Sequence, residues 1–403
     1  MYPINWKPLA LLWLTYFLNY VDRQVIFSML PAVRGEIPMS NLELGWVGSL
    51  FIWCYSLASP LGGRLADRYG AGSMVFASLL LFSGATLATG MSHSAAVLLA
   101  GRAILGVTES FYFPAAVSLL GSLHASAVRS RVISLHGSAQ FAGAAMGGWF
   151  GGWMAERFGW RSTFQCLAVA GLVWAVVVAQ TLPGGRPKAT NSMSDSGRWG
   201  DLLDRRYAAL LAAFFALCAM LWMLYAWLPL FLHEKFNLSL SESGLQATIF
   251  LQSGSLAGIL AGGVAGDWLS RRLRAGRLML AAGGLLAASP FAVWILAAPE
   301  LWLASIAAAC FGWFAGLMMA NNVAAAYDLV AGRSYGLAAG VLTLVGGLAG
   351  GLSILFAGAW KDSYGIEFLM RWAAGAAAVS AILLAAIVSR YPDRLLNDEN
   401  SAH

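Results

Sequence analysis

The stretch GGRLADRYG at residues 62–70 has a counterpart further along the chain, GGVAGDWLSRR at residues 262–272. Each copy starts with a Gly-Gly pair, continues with an aspartate (Asp67 and Asp267) and ends in basic residues. Each also follows the second long apolar segment of its half of the chain. An internal repeat of this length is typical of membrane proteins built from two similar halves.

The composition places these halves in a membrane. The chain has 403 residues, of which 59% are hydrophobic and 11% charged, and its mean hydropathy is +0.68. A soluble domain carries about 25% charged residues, and a helix of about 20 apolar residues crosses the hydrocarbon core. Twelve such segments are predicted, at 8–30, 43–64, 72–92, 95–119, 131–153, 162–182, 208–231, 243–265, 277–298, 301–326, 334–357 and 367–389.

These segments predict an all-α membrane protein with two six-helix bundles, at residues 1–182 and 208–403. The Pro-, Gly- and Ser-rich segment 183–207 is the expected linker. The first apolar run is too long for a cleavable signal peptide and lacks a small-residue cleavage site, so we expect it to stay as a transmembrane helix. Lys and Arg residues concentrate in alternate loops, which predicts that the linker and both termini are cytoplasmic. The net charge of +6 therefore does not indicate nucleic-acid binding.

The first apolar segment is interrupted by NYVDRQ at residues 19–24. A charge at the centre of a membrane helix costs about 2.5–3.5 kcal/mol on insertion scales, so intramembrane charges usually face a partner or a functional cavity. The fourth segment carries Arg102 and Glu109 on one helix face. The rise per residue of an α-helix places Asp22 at about the same depth in the membrane as Arg102. The simplest expectation is therefore an Asp22–Arg102 pair, and the alternative is that Arg102 belongs with Glu109.

The same depth count places Tyr55 and Gln140 near Glu109. This predicts a ring of Arg23, Tyr55, Glu109 and Gln140 in the N-terminal half. A purely structural reading is open too, since buried ion pairs can fix helix register and polar side chains can bridge helices.

Several stretches resemble one protein family. The glycine–acid–basic loop at 62–70, Arg102-Ala-Ile-Leu-Gly106, the glycine-rich fifth segment and FGWRSTF at 158–164 are similar to signatures of the major facilitator superfamily. Within it, NYVDR, RAILGVTESFYFP (102–114) and WLPLFL (227–232) resemble the anion:cation symporter branch, which includes bacterial sugar-acid/proton symporters and sialin relatives. The spinster-type lipid transporters share a similar NY-x-DR and a glutamate in the fourth span.

The resemblance implies roles for individual residues. Asp22 and Glu109 would carry protons, Arg23 would bind the anion, and Tyr55 and Gln140 would bind substrate hydroxyls. Arg102 would be the charge partner that holds Asp22 or Glu109 ionised. In the second half, polar residues within the spans are candidate substrate ligands: Tyr225, Asn321 and Asn322. The loop residues are expected to brace or gate: Gly63, Asp67, Arg68 and Asp267.

Two features depart from the branch. Ala71-Gly72 occupies a position where the superfamily usually has basic residues, and the eleventh segment reads GVLTLVGGLAGG (340–351) where sugar-acid symporters often carry asparagines. The second departure favours a less hydroxylated substrate.

The apolar segments and intramembrane charges, together with what the family resemblance implies, predict a monomeric bacterial inner-membrane symporter of a small organic anion such as a sugar acid, driven by the proton gradient and surrounded by lipid. A proton-coupled transporter of lipids or other amphiphiles is the alternative. An enzyme is not expected, because the spans hold no Ser-His pair, HExxH motif or metal cluster. No cofactor or metal is expected, and the four cysteines make neither a disulfide framework nor a metal set.

Overall fold

A computed structural model describes residues 4–182, 198–273 and 275–390. Within these ranges the chain is helical and contains no strand. The segment 183–197, which makes up most of the expected linker, lies outside the described residues. The α-helices are α1 (Trp6–Ser28), α2 (Leu30–Glu36), α3 (Asn41–Tyr69), α4 (Ala71–Gly90), α5 (Ala95–Ser110), α6 (Tyr112–Leu123), α7 (Ser126–Phe158), α8 (Trp160–Thr181), α9 (Arg205–Phe236), α10 (Leu240–Arg272), α11 (Gly276–Ala297), α12 (Leu301–Tyr327), α13 (Tyr335–Tyr364) and α14 (Ile366–Arg390).

The helices follow the predicted apolar segments closely. The first predicted segment spans α1 and the start of α2, which are separated by Met29, and the fourth is divided at Phe111 into α5 and α6. Among the described residues, ten helical segments are long and apolar enough to cross a membrane. The long helices outside this set are α1, which contains Asp22 and Arg23, and the glycine-rich α7. The all-helical membrane fold is therefore confirmed, and the total of twelve spans and the cytoplasmic termini stay predictions.

The chain forms two compact units. The first contains α1 to α8 together with Leu224–Ile249 and Ile354–Ala359 from the second half of the sequence. Of the described residues, the second contains 198–204, the rest of α9, Phe250–Ser353 without residue 274, and Trp360–Arg390.

Two glycines show that the halves repeat each other in backbone conformation. Gly159 directly follows α7 at φ 82° and Gly365 directly follows α13 at φ 75°. Each ends a long helix that is followed at once by the last helix of its half. A positive φ is readily adopted by glycine and disfavoured for residues with a Cβ, which explains why both turns use this residue.

A glycine stripe brings α7 against α1. Gly143, Gly147 and Gly151 face the backbone of α1, where a Cβ would lie 2.6 to 2.8 Å from a carbonyl oxygen of Phe17, Val21 or Val25. Small residues at four-residue spacing allow this close approach of membrane helices. The stripe holds in place the part of α1 that carries Asp22 and Arg23.

Part of the expected linker is ordered in the second unit. A short 3-10 helix, Trp199–Leu202, contacts a second one, Gly332–Ser334, just before α13. Asp201 accepts two hydrogen bonds of 2.9 Å from the Arg333 guanidinium and one of 2.6 Å from the Ser334 hydroxyl. The bonds from Arg333 and then Ser334 lower the pKa of Asp201 to about 2, so this contact persists through the physiological pH range.

The glycine stripe gives a first prediction. Gly151→Ala places a methyl group 2.6 Å from the Val25 carbonyl oxygen and forces α1 and α7 apart. We expect a lower melting temperature in detergent, because overpacking costs about 1–3 kcal/mol. The matched control is Gly137→Ala on the same helix, where a Cβ meets no atom within 4 Å. This control should keep or slightly raise the melting temperature, since alanine favours helix over glycine. Equal melting temperatures for the two variants would show that the crossing does not require glycine.

Candidate functional site

A buried ion pair joins α1 to α5 inside the first unit. Arg23 Nη2 donates to Glu109 Oε2 at 3.0 Å, and Arg23 Nε reaches the same oxygen at 3.3 Å. Arg23 Nη2 also donates to the Asn19 Oδ1 atom one turn earlier on α1, at 3.3 Å. The Glu109 side chain is fully buried and that of Arg23 nearly so. One carboxylate oxygen therefore carries the contact, and Glu109 Oε1 makes no hydrogen bond within the described chain.

Aromatic rings surround the Arg23 guanidinium. Its central carbon lies 4.5 Å from the ring centroid of Tyr20, 4.6 Å from that of Tyr55 and 4.9 Å from that of Phe51. Guanidinium groups are attracted to ring faces, and the attraction increases when water is excluded. The rings thus hold the cation in an interior where hydration cannot support it. The hydrogen bonds to Glu109 and Asn19 use Nε and Nη2 of the cation, so Nη1 lies outside both contacts.

The local backbone explains how α5 reaches this position. Gly106 lies between Arg102 and Glu109 on α5, and a Cβ on it would overlap the Phe51 carbonyl oxygen of α3. Because glycine lets the two helices touch, both charged side chains of α5 lie close to this part of α3. The Arg102 guanidinium carbon is 4.8 Å from the Phe51 ring centroid, so the two arginines contact the same ring.

Asp22, the second buried acid, does not pair with Arg102 as the simplest expectation from the sequence predicted. Asp22 Oδ2 accepts a hydrogen bond from Thr86 of α4, while Arg102 Nε donates to the Val47 carbonyl oxygen at 3.3 Å. Asp22 and Arg102 form no direct ion pair. Both are buried, and Asp22 Oδ1 and Arg102 Nη1 and Nη2 have no hydrogen-bond partner in the described chain. The direct ion pair of this cluster is therefore Arg23–Glu109, not Asp22–Arg102.

The remaining expected ligands of the first unit lie at different places. Tyr55 contacts Arg23 as described. Gln140 is half-buried on α7, one turn before Gly143, and makes no hydrogen bond with the described residues. Tyr225 contributes a backbone contact, since its carbonyl oxygen accepts from Gln24 Nε2 at 3.4 Å.

In the second unit, Asn321 serves as a link between helices. Its Nδ2 donates to the carbonyl oxygens of Gly262 and Leu317, each at 2.9 Å, so this amide nitrogen is committed to the α10–α12 contact. Asn322 is buried and its Oδ1 has no partner among the described residues. Of the two candidate asparagines, Asn322 is thus the one with an open polar atom.

The two copies of the loop motif differ. Asp267 pairs with Arg277 at 3.0 Å, and Arg277 also reaches Asp328 at 3.1 Å. Partial burial raises the pKa of the Asp328 carboxyl, and the charge of Arg277 opposes that rise. In the first copy Asp67 and Arg68 are exposed, and Arg68 contacts the Tyr69 ring.

The remaining loop residue is loosely packed. A Cβ on Gly63 would come no closer than 4.0 Å to the Pro114 side chain, so close packing does not require a glycine there. Of the two copies, only the second is braced by ion pairs within the described chain.

Sequence reasoning missed several partners of the site. Asn19 could have been found, because it lies one turn before Arg23 on the same helix. No sequence pattern predicts the contacts of Phe51, Thr86 and the Val47 carbonyl oxygen. These residues come from other helices, and their types are ordinary for a membrane span.

The chain is similar in sequence to several curated bacterial transporters. The chain is 28% identical to a probable sulfoacetate transporter of Cupriavidus necator over 386 residues, which cover 90% of this chain and 89% of that protein. It is 26% identical to a probable galactarate/D-glucarate transporter of Bacillus subtilis, covering 71% and 70% of the two chains, and 25% identical to a D-galactonate transporter of Escherichia coli, covering 95% and 96%.

A solved structure shares the fold. It is the inward-facing, unoccupied form of a bacterial homologue of the human lysosomal transporter Spinster, with a TM-score of 0.78, 19% identity and 96% coverage of both chains. The family model of the Major Facilitator Superfamily matches residues 12–354. The chain therefore belongs to the Major Facilitator Superfamily and is a multi-pass inner-membrane transporter rather than an enzyme.

Proposed function

We propose that the protein is a proton-coupled symporter of a small organic anion, with Arg23 as the residue that binds the carboxylate. The observation that carries this proposal is the pairing of Arg23 with Glu109 through a single carboxylate oxygen, in a buried and aromatic setting. A buried cation whose partner is a titratable acid can exchange that partner for another anion when the acid is protonated.

The chemistry of this exchange follows from charge balance. While Glu109 is ionised, it neutralises Arg23, and a substrate carboxylate must compete with it. Once Glu109 takes a proton, Arg23 is a desolvated cation without a counter-ion, which is costly in a low-dielectric interior. A substrate carboxylate then restores neutrality, and its two oxygens match the planar fork of the guanidinium. Proton binding and anion binding therefore favour each other.

Asp22 is the second proposed proton site. It is buried on α1 next to Arg23 in sequence, and it has a single hydrogen bond, from Thr86. Asp22 Oδ1 and the two Nη atoms of Arg102 have no hydrogen-bond partner among the described residues, and the two groups have opposite charges. We infer that Arg102 stabilises the ionised form of Asp22 electrostatically without direct contact.

The curated relatives support an anionic substrate. Their names give galactarate, D-glucarate, D-galactonate and sulfoacetate, all of which are anions. Thr343 of α13, close to where sugar-acid symporters carry asparagines, donates its hydroxyl to the Ala339 carbonyl oxygen. A substrate with few hydroxyl groups fits this helix better than a fully hydroxylated sugar acid. The supported class is a small carboxylate, with Gln140 of the first unit as a polar group for its remaining atoms.

The second candidate function is proton-coupled transport of a lipid or lysolipid. Its support is the fold likeness to the Spinster homologue. Purified protein in liposomes separates the two functions. Uptake of a labelled sugar acid or sulfoacetate under an inward proton gradient supports the symporter, whereas movement of a labelled lysolipid without carboxylate uptake supports the alternative.

Asp22→Asn and Glu109→Gln should each abolish accumulation driven by a proton gradient, because an amide cannot carry the proton. At least one of the two should still exchange labelled for unlabelled substrate across liposomes at equal pH. The control is Glu300→Gln, an exposed glutamate at the start of α12, which should leave both assays unchanged. Normal accumulation by both acid variants would contradict the assignment of the proton sites.

Arg23→Lys should weaken anion binding almost as much as Arg23→Ala. A lysine ammonium is a point charge and cannot form the parallel pair of hydrogen bonds of a guanidinium. The expected change is a rise of about tenfold or more in the substrate concentration for half-maximal uptake, in line with the value of charged hydrogen bonds. Wild-type uptake by the lysine variant would show that Arg23 contributes only charge or packing.

A further inference from the structure

Two buried histidines of the first unit differ in the hydrogen bonds that their ring nitrogens make. His124 Nε2 accepts from the Asn5 backbone N–H at 3.1 Å, and its Nδ1 donates to the Leu120 carbonyl oxygen at 2.9 Å. His136 of α7 has a contact at Nε2, 3.0 Å from the Tyr112 hydroxyl, and its Nδ1 has no hydrogen-bond partner in the described chain. His136 is completely buried.

The direction of the hydrogen bonds fixes the form of His136. The Tyr112 hydroxyl lies 2.5 Å from the Leu12 carbonyl oxygen, which can only accept. The hydroxyl proton is therefore used there, and the hydroxyl oxygen must accept from His136. It follows that His136 carries its proton on Nε2. This bond and the α1 carbonyl together lock the imidazole in one orientation.

The locked ring begins a continuous series of aromatic contacts that ends at Arg23. His136 stacks on Tyr16, with 4.7 Å between centroids and 10° between planes. Tyr16 meets Tyr20 edge to face at 5.0 Å and 84°, and the Tyr20 ring covers Arg23 at 4.5 Å. Each ring limits the rotation of the next, because their packed geometry favours stacked or edge-to-face arrangements.

We propose that His136, oriented by Tyr112, is a positioning residue for the anion site: it fixes the Tyr16 and Tyr20 rings that hold the Arg23 guanidinium. This inference rests on the proposed function, in which Arg23 binds the carboxylate. His136 acts through two other rings and needs no contact with the substrate.

The surroundings keep His136 neutral. The aromatic rings packed against the His136 ring are Tyr16 from α1 and Tyr112 and Phe113 from α6. None of them is an acid, and α8, which also packs on α7, places its charged residue Arg161 at its first turn. An imidazolium buried without a counter-ion is costly. Its role is consequently the shape and orientation of an uncharged ring.

Three variants distinguish the effect of the His136 ring from the effect of its hydrogen bond to Tyr112. His136→Phe keeps a flat ring against Tyr16 and loses the N–H donor, whereas His136→Gln keeps an N–H donor and loses the ring. Tyr112→Phe removes the hydroxyl that orients His136. The matched control is His124→Gln, since His124 is the other buried histidine of this unit and makes no ring contact with Tyr16. All are tested in the full-length protein in liposomes with labelled sugar acid or sulfoacetate.

We expect His136→Gln to raise the substrate concentration for half-maximal uptake by about three- to tenfold, the value of one aromatic pair, with the maximal rate within about twofold of wild type. His136→Phe should recover most of this loss, Tyr112→Phe should lie between the two, and His124→Gln should match wild type. The double variant Arg23→Lys with His136→Gln should bind no more weakly than Arg23→Lys alone, because His136 acts through Arg23.

Other outcomes have distinct meanings. If Arg23→Lys weakens substrate binding and His136→Gln does not, or if the two losses add, the positioning role of His136 is wrong and the proposed function stands. A loss of maximal rate alone in His136→Gln, with no recovery in His136→Phe, also overturns the positioning role. If Arg23→Ala leaves substrate binding unchanged, the proposed anion site itself is wrong, and the inference about His136 fails with it.

Discussion

The ion pair between Arg23 and Glu109 is the constraint around which the first unit is organised. Two charges taken out of water each cost several kcal/mol, and their attraction compensates only when the geometry is good. Here the pair lies at 3.0 Å, with Asn19 as a further acceptor and three aromatic rings on the cation. Removal of either charge would leave the other buried without compensation. The pair therefore links α1 to α5 as long as both partners are ionised, and in the proposed mechanism protonation of Glu109 releases it.

Close helix packing makes that pair possible. The α7 glycines hold α1 from one side, and Gly106 lets α5 touch α3 at Phe51. The rings of Phe51, Tyr20 and Tyr55 then enclose the cation. An interior of this kind combines close packing, which excludes water, with a charge that, in the proposed mechanism, either Glu109 or the substrate neutralises. The proposed coupling of an anion to a proton depends on these two properties.

The two halves repeat in backbone and differ in chemistry. Gly159 and Gly365 end equivalent helices with similar positive φ angles. In the first unit, Asp22, Arg23, Arg102 and Glu109 are buried within helices. The ion pairs of the second unit at Asp267, Arg277 and Asp328, between Asp201 and Arg333 and between Asp204 and the buried Arg206 instead lie near helix ends. Within the described residues, the proposed proton sites thus belong to the first unit.

The sequence by itself determined the helical membrane fold, the approximate helix bounds and the existence of a buried charge cluster. These follow from local properties: apolar length, glycine spacing and the high cost of charges within a span. The identities of Arg23, Glu109, Asp22 and Arg102 as members of that cluster were predictable for the same reason. The family resemblance seen in short motifs was confirmed by the match over residues 12–354.

Which charged side chains contact one another was decided only by the tertiary structure. Counting the helix rise paired Asp22 with Arg102, but a count of depth contains no information about helix rotation or the length and direction of side chains. The structure instead directs Arg23 to Glu109, Asp22 to Thr86 and Arg102 to a backbone oxygen of α3. The commitment of Asn321 to Gly262 and the aromatic path from His136 to Arg23 were equally beyond the sequence. Most of these contacts join residues far apart in the chain, and they are set by how closely the helices pack rather than by any local pattern.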